Sequence, residues 1–211
     1  NVVFLTTVYA SREGVLQQYG QTPRPLGELL RQDFPQVKKV CRIEDRSVIV
    51  KHRDNVFNER IRYTDPDFLE MFTFPLKWGT FSSLTDVNSI ILSETMSIKY
   101  FGDENPIGES ILVKFDKDRS KEFKITGVAQ PFPTSRSLDF SFLINMENLR
   151  TSEPNYDPHD WATFLNATLI QVTEPSDIKV IENGMEKYKR LQHEVVTEDC
   201  RSRAARRRPS T

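Results

Sequence analysis

Residues 88–108 read NSIILSETMSIKYFGDENPIG, and the reading of this stretch decides the fold class. Asn88 to Leu92 is a short apolar run of strand length. Ser93 stands where a helix N-cap belongs, its hydroxyl able to accept an unpaired N–H of the first turn, and Ser93 to Phe101 reads as a helix. Gly102 occupies the position at which a left-handed residue ends a helix. The glycines Gly102 and Gly108 invite a phosphate-loop reading, but the segment follows a helix instead of preceding one. It reads as a helix stop and a turn into the next strand. Strand, capped helix and strand in succession mark a mixed fold.

Toward the C terminus, Ile111, Val113 and Phe115 alternate, as do Phe123, Ile125 and Gly127. The charged stretch Asp116 to Lys121 between them predicts a hairpin. Pro131-Phe132-Pro133 marks a boundary, and Phe140, Phe142 and Ile144 alternate as a further strand. Phe164 to Val172 reads as one strand, and Pro175-Ser176 opens a helix whose apolar face carries Ile178, Ile181, Met185 and Tyr188. Toward the N terminus, Asp65-Pro66-Asp67-Phe68 starts a short helix with Asp65 as cap, stopped by Phe74-Pro75 before Gly79. Val37 to Cys41, Ser47 to Lys51 and the Phe57, Ile61, Tyr63 alternation read as three strands. Thr22 offers a cap hydroxyl to a helix whose face is Leu26, Leu29, Leu30 and Phe34, and Val2 to Tyr9 reads as one strand. Ends of α/β type therefore flank a β-rich middle. Phe68, Met71, Phe72, Phe74 and Trp78 are too dense for one face of a two-turn helix; they plug a junction between subdomains or form an apolar surface that meets another protein. Phe132 reads equally as an exposed contact or a core wedge.

The 211 residues carry 29 Lys plus Arg against 30 Asp plus Glu, a formal charge of −1. Five arginines lie in the last eleven residues, so the rest has 24 basic and 30 acidic residues, a charge of −6. That body has no basic excess with which to neutralise a nucleic-acid backbone. A 37% hydrophobic content with 14 Phe and 8 Gly excludes a disordered or collagenous chain. No apolar run approaches the roughly 20 residues needed to cross a bilayer. Cys200 opens the arginine-rich tail, so no disulfide to Cys41 is expected. With no initiator Met and no signal peptide before Asn1, the chain is expected to be cut from a longer protein.

Reactive constellations are scarce. His52, His159 and His193 lack partners at metal-ligand spacing, and neither HExxH nor CxxC occurs. His159-Asp160 lies in a Pro- and Asn-rich loop and reads as a solvated pair. Asp116-Lys117-Asp118 opens like a calcium loop, but Lys121 and Gly127 stand where Gly and Glu are required. No Walker, dinucleotide or GxSxG motif is present, and no paired carboxylates stand out. The sequon Asn166-Ala167-Thr168 falls inside a predicted strand, where it is a poor acceptor. The expectation is a protein without catalytic activity, metal or cofactor.

Three segments together carry a resemblance. They are Arg62 to Phe72 (RYTDPDFLEMF) with Pro75-Leu76 and Gly79; Asn88 to Gly108; and Phe123 to Val128 (FKITGV) with Pro133. In this order the chain resembles, over residues 1–192, the extracytoplasmic core domain of MacB-like ABC transporter permeases, the family that also carries the FtsX-like membrane region. The resemblance implies an α+β fold of porter-like βαβ units with an inserted β-rich, Sabre-like subdomain. It divides the chain into a discontinuous porter-like part (1–79 and 134–196), the insert (80–133) and a tail (197–211) foreign to the fold or disordered. The motif residues Asp65, Phe68, Phe72, Gly79, Phe101, Gly102, Pro106, Gly108 and Gly127 are expected to be structural. The implied partners are the membrane-embedded remainder of the same permease, an ATP-binding cassette subunit or domain, a second permease copy and a periplasmic adaptor, with no nucleic acid. The implied location is the bacterial inner membrane, this domain facing the periplasm or cell exterior. Its role would be to couple ATP-driven movement to export or mechanotransmission. The competing reading is a ligand-binding sensor ectodomain; a secreted hydrolase lacks any nucleophile–base arrangement.

Overall fold

The first predicted strand is in fact two. In the computed structural model, which describes residues 1–10, 16–80, 84–131 and 138–194, β1 (Val2–Phe4) and β2 (Thr7–Ala10) lie in different sheets. Leu5 gives its N–H to the Thr168 carbonyl at 2.9 Å, after which the chain leaves that pairing. In chain order there follow β3 (Leu16–Tyr19), β4 (Thr22–Pro23), α1 (Leu26–Asp33), β5 (Val37–His52), β6 (Asn55–Thr64), α2 (Asp67–Phe72), β7 (Leu76–Gly79), β8 (Ser89–Ser93) and α3 (Glu94–Phe101). Then come β9 (Ser110–Lys114), β10 (Ser120–Ala129), β11 (Phe142–Asn145), a 3-10 turn at Met146–Asn148 leading into α4 (Leu149–Ser152), β12 (Phe164–Leu165), β13 (Ala167–Val172) and α5 (Asp177–Gly184). After a break at Met185 the chain is helical again over 186–194.

The fold divides into two compact units, one of Asn1–Val40 with the chain from Asp157, the other of Cys41–Tyr156. In the first, β1 runs antiparallel to β13, with Val2 opposite Gln171 and Phe4 opposite Leu169. The core of this unit gathers Leu26 and Leu30 of α1, Val37 and Val40, Ile170 and Val172 of β13, Ile181 of α5, Trp161 and Tyr188. Thr22 does not cap α1: it lies in β4, and its hydroxyl meets that of Thr168 at 2.6 Å in the interior. The helix begins after Pro25 with no side-chain cap.

The second unit closes on itself. β5 pairs antiparallel with β6, β6 parallel with β11, β11 antiparallel with β8, β8 parallel with β10, β10 antiparallel with β9, and β9 antiparallel with β5. That ring leaves no free edge along its paired stretches, and β7 adds to the end of β10. Its interior is filled by Val50, Ile61, Ile90, Val113, Phe123 and Phe142, all buried. β11 does not alternate as expected: Phe142 to Asn145 are all buried. A strand covered on both faces reads as a continuous apolar run.

The two strands expected over 37–41 and 47–51 are one. Arg42 and Asp45 look like turn residues, but each finds a buried partner of opposite charge, so the strand runs through. The expected boundaries at 79/80 and 133/134 do not coincide with the division of the fold. β8, β9 and β10 share a single hydrogen-bonded ring with β6 and β11, so residues on both sides of those boundaries build one core. Phe132, Pro133 and the tail 197–211 lie outside the described residues.

Candidate functional site

All nine motif residues fall in the barrel unit. Asp65 was expected to cap α2; instead its carboxylate accepts from the Arg42 main-chain N–H at 2.7 Å and from Nε and Nη2 at 2.9 and 2.7 Å. Both residues are buried. A second buried carboxylate, Asp45, takes two bonds from Arg62 (2.8 and 2.9 Å) and one from Arg60 (2.9 Å). Forked guanidinium–carboxylate pairing satisfies both charges at once. These pairs had no sequence motif. Their signal was charged residues at positions 42, 45, 62 and 65 within otherwise strand-like runs.

Phe68 is fully buried and its ring lies 5.3 Å from Phe72, 5.1 Å from Phe74 and 6.3 Å from Phe140. The aromatic cluster therefore packs within the barrel unit, and only Trp78 and Met71 among its expected members stay half-buried beside Phe72. Gly79 stands opposite Gly127 in the β7–β10 pairing. A Cβ at Gly79 would lie 2.2 Å from the Thr126 carbonyl oxygen, and the residue's φ is +93°. Only glycine fits there. Gly102 ends α3 at φ +65°, as the sequence predicts, with Ser93 capping the other end through a 3.3 Å bond from Met96 N–H. Gly108, at φ +95°, gives its N–H to Ile125, and Asn105 Oδ1 takes the Ile107 N–H, so these amides of the turn are committed internally. Pro106 is buried, and Phe101 lies against the His52 ring at 4.3 Å.

The remaining titratable groups are arranged for stability. Burial pushes the Cys41 thiol far up, against a weaker opposing hydrogen bond from Thr64, so it is no nucleophile. Burial raises the Tyr63 phenol to about 12. Asp116 is drawn down to about 2, first by its hydrogen bond from Arg119, while its Oδ1 takes the N–H groups of Asp118 and Arg119. The segment that opens like a calcium loop is thus a self-closed hairpin turn. The Asp160 carboxylate accepts from Thr163 and Ala162, and the His159 main-chain N–H bonds Asp157. His159 and Asp160 are therefore held by separate partners. Among the described residues no three His, Cys, Asp or Glu side chains gather to hold a metal.

Two adjoining cavities flank Phe140. One, of about 250 Å³, is lined by Phe74, Met96, Ala129 and Pro131 with Glu94 and Asp139 at its polar side. The other, of about 330 Å³, holds the Asp45, Arg60 and Arg62 group with Ser141. They offer an apolar wall and satisfied charges, with no nucleophile–base pair among their described lining residues.

A family model, the MacB-like periplasmic core domain, matches residues 1–188. Three solved structures share the fold. A domain from Porphyromonas gingivalis, described as from a permease protein, is 18% identical, with 89% of this chain and 80% of that one covered and a TM-score of 0.68. The periplasmic region of MacB from Actinobacillus actinomycetemcomitans is 15% identical, with 82% and 75% covered and a TM-score of 0.62. The extracellular domain of YknZ, a noncanonic ABC-type transporter from Gram-positive bacteria, is 14% identical, with 85% and 88% covered and a TM-score of 0.58. At these identities the likeness is one of fold. No curated protein matches the chain.

Proposed function

The chain belongs to the MacB-like periplasmic core domain family of ABC transporter permeases, and on that premise we propose that it is a non-catalytic extracytoplasmic domain that couples ATP-driven change in a separate nucleotide-binding domain to export or mechanotransmission outside the membrane. The family match over residues 1–188 carries this reading, because it spans both compact units. No helix among the described residues is long and apolar enough to cross a membrane. On this reading the membrane-embedded remainder of the permease, an ATP-binding cassette subunit or domain, a second permease copy and a periplasmic adaptor are its partners. Its place is at the inner membrane, facing the periplasm or exterior. The Sabre-like label goes with the barrel unit and the porter-like label with the unit of α1 and α5. A domain that transmits movement needs rigid bodies more than reactive groups, and buried ion pairs and required glycines supply rigidity.

The test is made in the full permease. Replacing the whole barrel unit, residues 41–156, by a short linker should abolish export while membrane insertion and co-purification of an ATPase persist. Absence of any ATPase partner, in the same chain or another, would overturn the proposal. The cavities at Phe140 favour the sensor reading instead, and a small-molecule library that raises the Tm by several degrees through that cavity would support it.

A further inference from the structure

The outward face of β5, β9 and β10 is unlike the rest of the barrel unit. Val48, Val50, Ile111, Val113 and Phe123 point inward and are buried, which turns the alternate residues outward. The register sets Ile49 opposite Lys114, and Lys51 opposite both Val56 and Leu112. On the far side, Glu122 stands opposite Leu112 and Lys124 opposite Ser110. Ile49 and Val56 are 39% and 53% exposed, and all three lysines are exposed.

Several cations elsewhere in this unit are matched: Arg42, Arg60, Arg62, Lys77 and Lys99 each hold a carboxylate, and Lys121 bonds the Val87 carbonyl and Asn148 Oδ1. Lys51, Lys114 and Lys124 hold none among the described residues. With Glu122 as the acidic member, the face carries a surplus of two positive charges, on a chain that is otherwise acidic outside its last eleven residues. Lysine and aliphatic side chains alternate along β5 and β9 at about 7 Å, the same repeat as one face of an extended chain.

We propose that this face docks an extended acidic segment of a partner protein. Its carboxylates meet Lys51, Lys114 and Lys124, and its apolar side chains on the same face meet Ile49, Val56 and Leu112. The charge complementarity selects an acidic occupant over a basic or neutral one. A bilayer surface is a poorer match, because the face offers short aliphatic side chains level with the sheet and no aromatic anchor. The patch is small against a standard interface of about 800 Å² per partner, so the contact is weak and salt-sensitive.

The full chain is titrated into a short fluorescent peptide of repeating Glu-Ser-Val-Ser (the Glu–Val peptide), which sets Glu and Val in turn on one face of an extended strand, with the matching Lys-Ser-Val-Ser (Lys–Val) peptide and phosphatidylglycerol vesicles as the other arms. Saturable binding of the Glu–Val peptide is expected, weakening about tenfold between about 0.05 and about 0.5 M salt. The K51E/K114E/K124E variant should bind about tenfold more weakly at unchanged Tm, with K51Q/K114Q/K124Q as the milder form if the first does not fold. No saturable binding, equal binding by the folded variant or by the Lys–Val peptide, or lysine-dependent capture of vesicles in place of the peptide would overturn the proposal. None of these outcomes bears on ATP coupling, so this surface fails or stands apart from the transport reading.

Discussion

The two units are held together by different physics. In the barrel unit, a closed ring of strands surrounds an apolar interior, and the buried guanidinium groups of Arg42 and Arg62 each hold a carboxylate. In the unit of β1, β13, α1 and α5, the two strands β1 and β13 are short, three and six residues, and contacts between residues far apart in sequence complete the core. Thr22 reaches Thr168, Leu29 and Asp33 reach Tyr188, and Phe34 lies where a Cβ on Gly184 would collide with it at 2.4 Å. The barrel therefore fails at a few irreplaceable points, whereas the other unit should lose stability in smaller steps. Each unit contains one tryptophan, Trp78 in the barrel and Trp161 in the other core, so fluorescence of W161F or W78F variants reports each separately.

The largest effect is expected at the buried ion pair. Asp65→Ala leaves the Arg42 guanidinium without its counter-charge in the interior and should cost about 3–5 kcal/mol. The double variant R42M/D65L should recover only part of that loss, since an apolar pair of similar size replaces two desolvated charges but leaves the buried main-chain N–H of residue 42 without its acceptor. Urea denaturation followed at Trp78 measures both. If R42M/D65L is as unstable as Asp65→Ala, the pair is not an isolated unit and the comparison between units loses its sharpest point.

Next come the glycines. Gly79→Ala places a methyl 2.2 Å from a backbone oxygen at a positive φ and should cost about 3 kcal/mol. Gly102→Ala meets open space and should cost only the conformational strain, about 1 kcal/mol. Equal losses would show that φ alone matters at Gly79 and that the close approach of β7 to β10 does not.

What the sequence made legible follows the same divide. Ser93, Gly102 and the hairpin turn at Asp116 act within a few residues of themselves, and there the expectations met the structure. The family motif was readable because its glycines, proline and aromatics encode local conformation and packing at fixed spacing. Asp65 misled because a cap and an ion-pair partner use the same carboxylate, and only the fold brings Arg42 within reach. Thr22 misled for the same reason, its hydroxyl being taken by a residue 146 positions away. The strand break at Leu5 and the ring closure through β9 and β5 are long-range pairings without a local signature. The outward lysines were invisible as a group until register placed them on one face.

Thr22→Val tests the other unit. It strands the Thr168 hydroxyl in the interior and should cost about 1–2 kcal/mol, read at Trp161. The paired change T22V/T168V removes both polar groups and should be nearly neutral. A loss as large as that of Asp65→Ala would erase the proposed contrast between the units.

The smallest effect is electrostatic and belongs to the same unit. Hydrogen bonds from Lys187 and then Tyr188 hold the Asp33 carboxyl below its usual range. A carboxyl depressed in the folded state contributes stability that is complete above its unfolded value and is lost as pH falls through the lower folded one. Asp33 is about one-third exposed, so solvent screening limits the contribution to about 0.3–0.5 kcal/mol. The Tm difference between the chain and Asp33→Asn should accordingly be present near neutrality and shrink in acid, as pH falls through the depressed value at which the native carboxyl protonates. Added salt should reduce that difference at neutral pH, because one partner, Lys187, is half exposed. It should leave the loss from Asp65→Ala almost untouched, since that pair lies beyond the reach of counterions. A salt response of the same size at both sites would mean that the buried and exposed pairs share one electrostatic environment, and the distinction between the units would fall.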